Sequence, residues 1–181
     1  EIASLNTEYI KIRSACNNNF EMLGWLSENY SGEIHISTGM TTKDETAVLV
    51  DFFTEKGRNK DLVLYNCTSG YPVPFEDVCL LDINILNQKY GHLVKHIGFS
   101  GHHLGIAVDI AAYTLGANII ERHYTLDRTW KGTDHAASLE PMGLRKLTRD
   151  LNAVYQALTF KSSDILPIEQ IQRDKLKNKK V

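Results

Sequence analysis

Short apolar runs alternate with longer segments of helical periodicity along the whole chain. The apolar runs have the length of β-strands and cover residues 8–12, 33–36, 62–65, 94–99 and 119–123. Apolar residues at helical spacing follow each run, at residues 17–29, 42–56, 75–89, 104–115 and 141–158. Strands that alternate with helices form parallel sheets with right-handed crossovers. The pattern therefore predicts an α/β fold with about five parallel strands, each followed by a helix.

The length of the chain limits how much of a barrel it can form. Each strand–helix unit takes about 30 residues. A closed (β/α)8 barrel usually takes about 250 residues, whereas this chain has 181. Its units therefore make up about five-eighths of such a barrel. No Gly-x-Gly-x-x-Gly motif follows the first strand, so the sequence gives no positive signal for a dinucleotide-binding fold.

Composition limits the classes of partner and the cellular compartment that we expect for this chain. With 43% hydrophobic and 23% charged residues, the chain is typical of a globular protein. A formal net charge of −2 gives no electrostatic reason to expect a nucleic-acid partner. No apolar run approaches the roughly 18 residues of a membrane span, so we expect none. Cys16, Cys67 and Cys79 form no Cys-x-x-Cys pair, which favours a reducing compartment, the cytoplasm.

Polar side chains collect where the predicted strands end. The carboxyl ends of parallel strands share one face, and catalytic groups sit at that face. The residues at these ends are Lys11, Ser14, Ser37, Thr38, Thr68, Ser69, Tyr71, Ser100, His102, Glu121 and His123. Hydroxyls and a lysine around one hollow suit a small anion such as phosphate. Any one serine is more simply explained by a local backbone hydrogen bond, but all the strand ends behave alike.

Two histidines at successive strand ends form a candidate metal site. His102 and His123 are 21 residues apart, and a strand–helix–strand unit brings two such positions within metal-ligand distance. Neutral imidazoles suit Mn, Zn, Fe or Co, with carboxylates and water completing the harder sites. The residues alone leave it equally open that both are ordinary polar residues. Arg122, next to His123 on the strand, should point to the opposite face and be structural.

Three motifs follow one another in the second half of the chain. They are Gly-Phe-Ser-Gly-His at 98–102, Ile-Glu-Arg-His at 120–123 and Gly-Thr-Asp-His-Ala-Ala-Ser-Leu-Glu-Pro at 132–141. Their order and spacing resemble the N-acylneuraminate (sialic acid) synthase family. Its members typically carry Gly-x-Ser-Asp-His, Ile-Glu-(Lys/Arg)-His and Gly-x-Asp-His-x-x-Ser-Leu-Glu-Pro. The Asp of the first motif is Gly101 here.

The resemblance covers nearly all of the chain and implies strands four to eight of the family's barrel. It implies a partial TIM (β/α)8 barrel over residues 1–160, with a linker or tail at 161–181. The family's first three strands and its C-terminal antifreeze-like domain would then lie outside this sequence. The basic run at 173–180 is expected to be solvated.

The family joins phosphoenolpyruvate to an N-acylhexosamine, usually N-acetylmannosamine, and releases phosphate in sialic acid biosynthesis. The resemblance assigns His102 and His123 to a divalent metal, usually Mn²⁺. The implied catalytic residues near the metal and the sugar are Tyr71, Glu121 and Asp134. The implied phosphoenolpyruvate ligands are Lys11, Ser14, Ser37, Ser69 and Ser100. Cys16 stands where many members carry a carboxylate that touches the sugar.

Three functional hypotheses follow. The first is an N-acylneuraminate synthase or a synthase for a related nine-carbon sugar acid. The second is a fragment that binds metal and phosphate but does not turn over. The third is a structural half-barrel that needs a partner chain. An open five-strand sheet leaves two edges and an unfilled barrel interior, and such edges tend to pair. We therefore expect a homodimer, low stability, or both.

Overall fold

The computed structural model describes residues 7–177 and has one parallel sheet with helices between its strands. The elements are β1 (Tyr9–Ile12), α1 (Phe20–Asn29), β2 (Glu33–Ser37), α2 (Lys43–Glu55), β3 (Leu62–Cys67), α3 (Asp82–Tyr90), β4 (His96–Gly101), α4 (Ala107–Thr114), β5 (Ile119–Arg122), α5 (Pro141–Ala157) and α6 (Pro167–Leu176). The strand order is β1-β2-β3-β4-β5, and every pairing is parallel. The predicted alternation of five strands with helices is confirmed.

Three helices begin later than the periodicity predicts, and each delay has a local cause. The helix expected from residue 17 starts at Phe20, because the side chain of Asn19 accepts a 3.0 Å hydrogen bond from the Met22 amide and caps it. The helix expected from residue 75 starts at Asp82, because Cys79 takes a left-handed φ of 53°. The helix expected from residue 104 starts at 107, after Gly105 with a φ of 76°.

One face of the sheet is apolar and packs against the helices. Alternate residues of a strand point to opposite faces, and the helix-facing set is strongly hydrophobic. This set comprises Ile10, Ile12, Ile34, Ile36, Leu62, Leu64, Ile97 and Phe99. It joins Leu23, Leu49, Phe53 and Ile83 from the helices in one buried core. Burial of this layer supplies the main favourable free energy of the fold.

The opposite face of the sheet is concave and polar. Lys11 lies on β1 and Glu121 on β5, the two edge strands, yet their Nζ and Oε2 atoms are 3.0 Å apart. The sheet must therefore curl until side chains from its two edges meet across the interior. This curvature makes the chain a half-barrel.

The lower part of the concave face is filled, which corrects the expectation of an empty interior. The residues His35 and Tyr65 are 4% and 3% exposed, and the Tyr9 ring stacks on His35 with centroids 4.4 Å apart. Burial raises the pKa of Tyr65, so its hydroxyl stays protonated and donates to His35 Nδ1 over 2.7 Å. His35 Nε2–H then donates to Glu33 over 3.0 Å. This layer is the floor beneath the strand ends.

The segment after α5 contains one short helix. α6 lies within the 161–181 segment expected to be a linker or tail, and none of its side chains is buried. Of the basic run at 173–180, residues 173–177 are exposed, and the remainder lies outside the described residues. Across residues 7–177, no helix combines the length and the apolar character needed to cross a bilayer.

Two glycine substitutions test this packing, because they should change the free energy of unfolding in opposite directions. A Cβ on Gly98 would lie 2.7 Å from ring carbons of Tyr65 and 3.1 Å from the Ile119 carbonyl oxygen. Gly98→Ala should therefore lower the free energy of unfolding by about 1–3 kcal/mol through overpacking. Gly24→Ala, within α1, meets only Phe52 at 3.9 Å and should raise it by about 0.5–1 kcal/mol. Urea denaturation measures both, and a Gly98→Ala protein as stable as the parent would contradict the packing.

Candidate active site

A cavity of about 430 Å³ opens at the carboxyl ends of the strands. All five strands or the loops that follow them contribute to its wall. The lining includes nine of the ten residues to which the resemblance assigns a role, namely Lys11, Ser14, Ser37, Ser69, Tyr71, Ser100, His102, Glu121 and His123. Thr38 and Thr68, which were also expected at this face, line a different cavity. The parallel sheet brings these residues together because its carboxyl ends share one face.

The Lys11 ammonium contacts side chains from three other strands of the sheet. Its ammonium donates to Ser37 Oγ over 2.6 Å, lies 3.0 Å from Glu121 Oε2, and sits 4.9 Å from the centroid of the Tyr65 ring. The Lys11 and Glu121 side chains are 24% and 32% exposed, so the ion pair is worth only about 0–1 kcal/mol. Its main effect is to hold a positive charge at a fixed place, where it can offset an anion.

Hydroxyl and thiol groups cluster on the wall beside Lys11. Ser14 Oγ lies 3.8 Å from Cys67 Sγ, and both groups surround Gly39. A Cβ at Gly39 would overlap Ser69 Oγ and lie 2.8 Å from Ser14 Oγ. Glycine is therefore required for the two serines to converge. Sequence reasoning missed Gly39, although its place directly after a strand end was a signal.

His102 and His123 face one another at the other side of the cavity. Their ring centroids are 5.2 Å apart. His102 Nδ1 lies 3.1 Å from the Thr68 carbonyl oxygen, so Nδ1–H donates and Nε2 keeps its lone pair. Burial lowers the pKa of both histidines, and His102 further lowers that of His123. Both imidazoles are therefore neutral at pH 7, which is the form that binds a metal.

Tyr71 and Asp134 approach this histidine pair from different sides. The Tyr71 ring centroid lies 4.6 Å from that of His102 and 6.0 Å from that of His123. Burial raises the pKa of Tyr71, so it presents a neutral hydroxyl. Asp134 does not line the first cavity, but its Oδ2 is 3.6 Å from His123 Nδ1. It lines a neighbouring cavity of about 370 Å³ that also touches His123.

The donor set fits a weakly held divalent metal better than a closed metal site. His102 and His123 offer two neutral nitrogens, with carboxylates nearby on Glu121 and Asp134. Within the described chain, no three His, Cys, Asp or Glu side chains are grouped closely enough to hold a metal ion. Water or substrate oxygens would have to complete the coordination, as is usual for Mn²⁺. The metal assignment stays a prediction.

The residue after Ser100 does not face the cavity. A Cβ on Gly101 would lie 2.8 Å from the Phe99 ring and 2.9 Å from the His103 ring. Phe99 belongs to the core that packs against the helices. The glycine that replaces the motif's Asp therefore lies on the helix side of the sheet and does not line the cavity between Ser100 and His102.

Because Ser14 and Ser69 lie so close to Gly39, a methyl group added at this position should disturb the site. Gly39→Ala should force Ser14 and Ser69 apart and weaken binding of inorganic phosphate about tenfold, because an off-site hydroxyl loses its hydrogen bond. Titration calorimetry with phosphate measures the change. Gly24→Ala, the same substitution on a helix remote from the cavity, should leave phosphate affinity as it is. Equal affinities in the two variants would show that the serine cluster does not bind phosphate.

Relatives and solved structures resemble the chain over most of its length. N-acetylneuraminate-9-phosphate synthase of Homo sapiens is 38% identical over 172 residues, which are 95% of this chain and 46% of that protein. N,N'-diacetyllegionaminic acid synthase of Campylobacter jejuni is 35% identical over 127 residues, which are 70% of this chain and 37% of that protein. The chain thus spans less than half of the length of these relatives.

The crystal structure of N-acetylneuraminic acid (sialic acid) synthetase from Leptospira borgpetersenii serovar Hardjo-bovis, in complex with citrate, has the same fold. It superposes with a TM-score of 0.81 at 31% identity, covering 97% of this chain and 61% of that one. This match confirms the predicted partial (β/α)8 barrel. The model of the NeuB family matches residues 1–163. The chain therefore belongs to the NeuB family.

Proposed function

We propose that this chain forms the phosphate- and metal-binding part of a synthase for sialic acid or a related nine-carbon sugar acid. The reaction would join phosphoenolpyruvate to an N-acylhexosamine, N-acetylmannosamine or a close relative, and release inorganic phosphate. The observation that carries the proposal is the single cavity into which nine predicted residues from five strand ends converge. Membership of the NeuB family supports the same class of reaction.

The chemistry needs an anion site and an electrophile site close together. The enol carbon of phosphoenolpyruvate forms a bond to the aldehyde carbon of the open-chain sugar, which leaves a cation-like carbon that bears the phosphate. Water adds to that carbon, and the bond from carbon to the phosphate oxygen then breaks to give the ketone. One proton of the water balances the proton that the aldehyde oxygen gains, and the other leaves with the phosphate. The Lys11 ammonium and the hydroxyls of Ser14, Ser37 and Ser69 would hold the phosphate. Glu121, bound to Lys11, would orient that ammonium.

The histidine side of the cavity would receive the aldehyde. His102 and His123 would hold a divalent metal, and such a metal supplies Lewis-acid polarisation of the aldehyde oxygen and activation of water. Tyr71 would offer a neutral hydroxyl to oxygen atoms near that position. Asp134, close to His123, would hold sugar hydroxyls or accept a proton. Lys11 and the two histidines line the same cavity, so the phosphate and the aldehyde would bind next to each other.

Counting carbons shows which carbon of the sugar substrate would carry a phosphate that is found on the product. A nine-carbon product takes three carbons from phosphoenolpyruvate, so carbon 9 of the product is carbon 6 of the hexosamine. The human relative is named for a 9-phosphate product. The name of the Campylobacter jejuni relative contains no phosphate. N-acetylmannosamine and its 6-phosphate are therefore the two sugars to compare.

A binding fragment or a half-barrel that needs a partner chain is the second candidate. The observation that favours this candidate is that the chain matches only 46% of the length of the human relative. The two edge strands β1 and β5 give a second copy places to pair, so a homodimer remains part of this proposal. Cys16, Cys67 and Cys79 are free thiols, which agrees with the proposed cytoplasmic location.

The test is phosphate release from phosphoenolpyruvate with Mn²⁺ and each of the two sugars. Sugar-dependent release by this chain alone supports a synthase that is complete in these strands, alone or as a dimer. Release only after a polypeptide with the family's remaining strands is added supports a catalytic part of a larger enzyme. No release in either case, with either sugar, overturns the synthase proposal for this chain and favours the binding fragment.

The histidine pair predicts a loss of metal binding that is specific to two positions. His102→Ala or His123→Ala should abolish Mn²⁺ binding in titration calorimetry, because either change removes one of two neutral imidazole ligands. His92→Ala removes an exposed histidine that does not line the cavity and serves as the matched control. Mn²⁺ affinity that is the same in all three variants and the parent would rule out the metal assignment.

Lys11 predicts a ranking of substrate affinities. Lys11→Ala should weaken phosphoenolpyruvate binding about tenfold, or roughly 1.4 kcal/mol, and affect sugar binding less, because the ammonium acts on the phosphate. Lys56→Ala is the matched control, since Lys56 also pairs with a glutamate, Glu28, at 2.8 Å but lies away from the cavity. Calorimetry with each substrate measures the ranking. A larger loss for the sugar would refute the role given to Lys11.

A further inference from the structure

Arg122 lies between two residues of the cavity but points away from it. Glu121 and His123 line the cavity, and the side chain of Arg122 turns to the helix side of the sheet, as its place on the strand predicts. Only 3% of that side chain is exposed. A buried guanidinium needs partners for its charge and its donors.

The guanidinium binds groups from three separate segments. Nη1 donates to the Asp109 carboxylate, to the Gly105 carbonyl oxygen over 2.8 Å and to His103 Nε2 over 3.1 Å. Nη2 donates to the carbonyl oxygens of His103 over 2.7 Å and Ala137 over 3.2 Å. One side chain thus joins β5 to the loop after β4, to α4 and to the loop after β5.

These segments carry the groups on the histidine side of the cavity. His102 immediately precedes His103, and Asp134 lies three residues before Ala137. The Leu139 amide, further along the same loop, donates to the His123 carbonyl oxygen over 2.8 Å. Arg122 therefore restrains the backbone on every side of the cavity from which a metal ligand or Asp134 projects.

We propose that Arg122 is a positioning residue, which sets the spacing of His102, His123 and Asp134 from behind the sheet. The proposal rests on the proposed function, since it gives that spacing a role in binding metal and substrate. Arg122 touches no reacting group. Its planar fork spans the loop after β4 and the loop after β5, whereas a lysine ammonium is a single point of charge that cannot reach both.

The unsatisfied atoms around Arg122 argue against a purely stabilising role. Among residues 7–177, four buried side-chain atoms lack a partner, and three of them are His103 Nδ1, Asp109 Oδ1 and Arg122 Nε. Such atoms lose their hydration without compensation. Buried ion pairs are often no more stable than apolar residues of similar volume. The cluster is thus better explained by the geometry that it imposes than by the stability that it adds.

Arg58 provides a matched control at another place in the fold. Its Nε binds Asp61 Oδ2 over 2.7 Å, and its two Nη atoms bind the carbonyl oxygens of Ser27, Tyr30 and Gly32. Its side chain is 15% exposed. Arg58 is therefore a largely buried fork with an aspartate partner, like Arg122, but it does not line the cavity. Arg58→Lys should lower stability without changing the site.

The experiment compares Arg122→Lys with Arg58→Lys in two measurements on the whole chain. Thermal unfolding gives the loss of stability in each variant. Titration calorimetry with Mn²⁺ alone should show about tenfold weaker binding for Arg122→Lys and unchanged binding for Arg58→Lys. Equal Mn²⁺ affinities in the two variants would overturn the positioning role, whatever their melting temperatures.

If the parent chain binds no Mn²⁺, that result counts against the proposed function and leaves the positioning role of Arg122 to be tested by a second measurement. Hydrogen exchange at the Leu139 and Thr125 amides reports the contact between β5 and its loop, because Leu139 binds His123 and Thr125 binds Leu139. Arg122→Lys should speed exchange at both amides by about tenfold relative to Arg58→Lys. Equal exchange in the two variants would overturn the proposal.

If Arg122→Lys does not fold, a double variant can distinguish a positioning role of Arg122 from a purely stabilising one. Arg122→Met with Asp109→Leu replaces the ion pair by apolar side chains, so neither charge is left buried alone and this variant should fold. The same variant should lose Mn²⁺ affinity and amide protection at Leu139, because the fork is gone. A double variant that keeps both would show that Arg122 does not position the site.

Discussion

Each strand must bury one face against the helices, and this constraint determines on which side of the sheet each side chain of a strand lies. Side chains alternate across a strand, so fixing Ile34 and Ile36 in the core fixes His35 and Ser37 on the concave face. The pairing of all five strands in parallel then places their carboxyl ends together. The Lys11–Glu121 pair is too exposed to curl the sheet by itself. It forms because the paired, helix-covered sheet has already brought the two edges face to face.

The same constraint explains how much could be read from the sequence. The alternation of short apolar runs with segments of helical periodicity was sufficient to predict five parallel strands, whereas the order of the strands in the sheet is known only from the structure. The late starts of three helices could not be predicted. They depend on one capping side chain at Asn19 and on left-handed backbone at Cys79 and Gly105, which periodicity does not record. The filled floor at His35 and Tyr65 was missed because it depends on contacts between different strands.

Prediction of the cavity was better for residues at or just after a strand end than for residues further along a loop. A strand end has a definite place in a parallel sheet, so Ser100, His102 and Glu121 could be assigned to one hollow before any geometry was known. Asp134 lies on a loop whose path is set by hydrogen bonds to β5 and Arg122, and it reaches the site only beside His123. Gly39 acts through the absence of a side chain. Its contribution becomes visible only once the serines that surround it are placed.

The arrangement of the two histidines bears on how such a site would work. Among residues 7–177 no third side chain lies close enough to complete a metal site with the two neutral imidazoles, so several coordination positions would be left for other oxygen atoms. A closed structural site would saturate a metal and leave no position for a substrate. An open pair binds the metal more weakly by itself, so its spacing has to be maintained by the surrounding backbone. Arg122 lies where such a restraint is needed, behind His123 and bonded to both neighbouring loops. His103 Nδ1, Asp109 Oδ1 and Arg122 Nε have no hydrogen-bond partner, which lowers the stability that the cluster can add and agrees with a role in positioning.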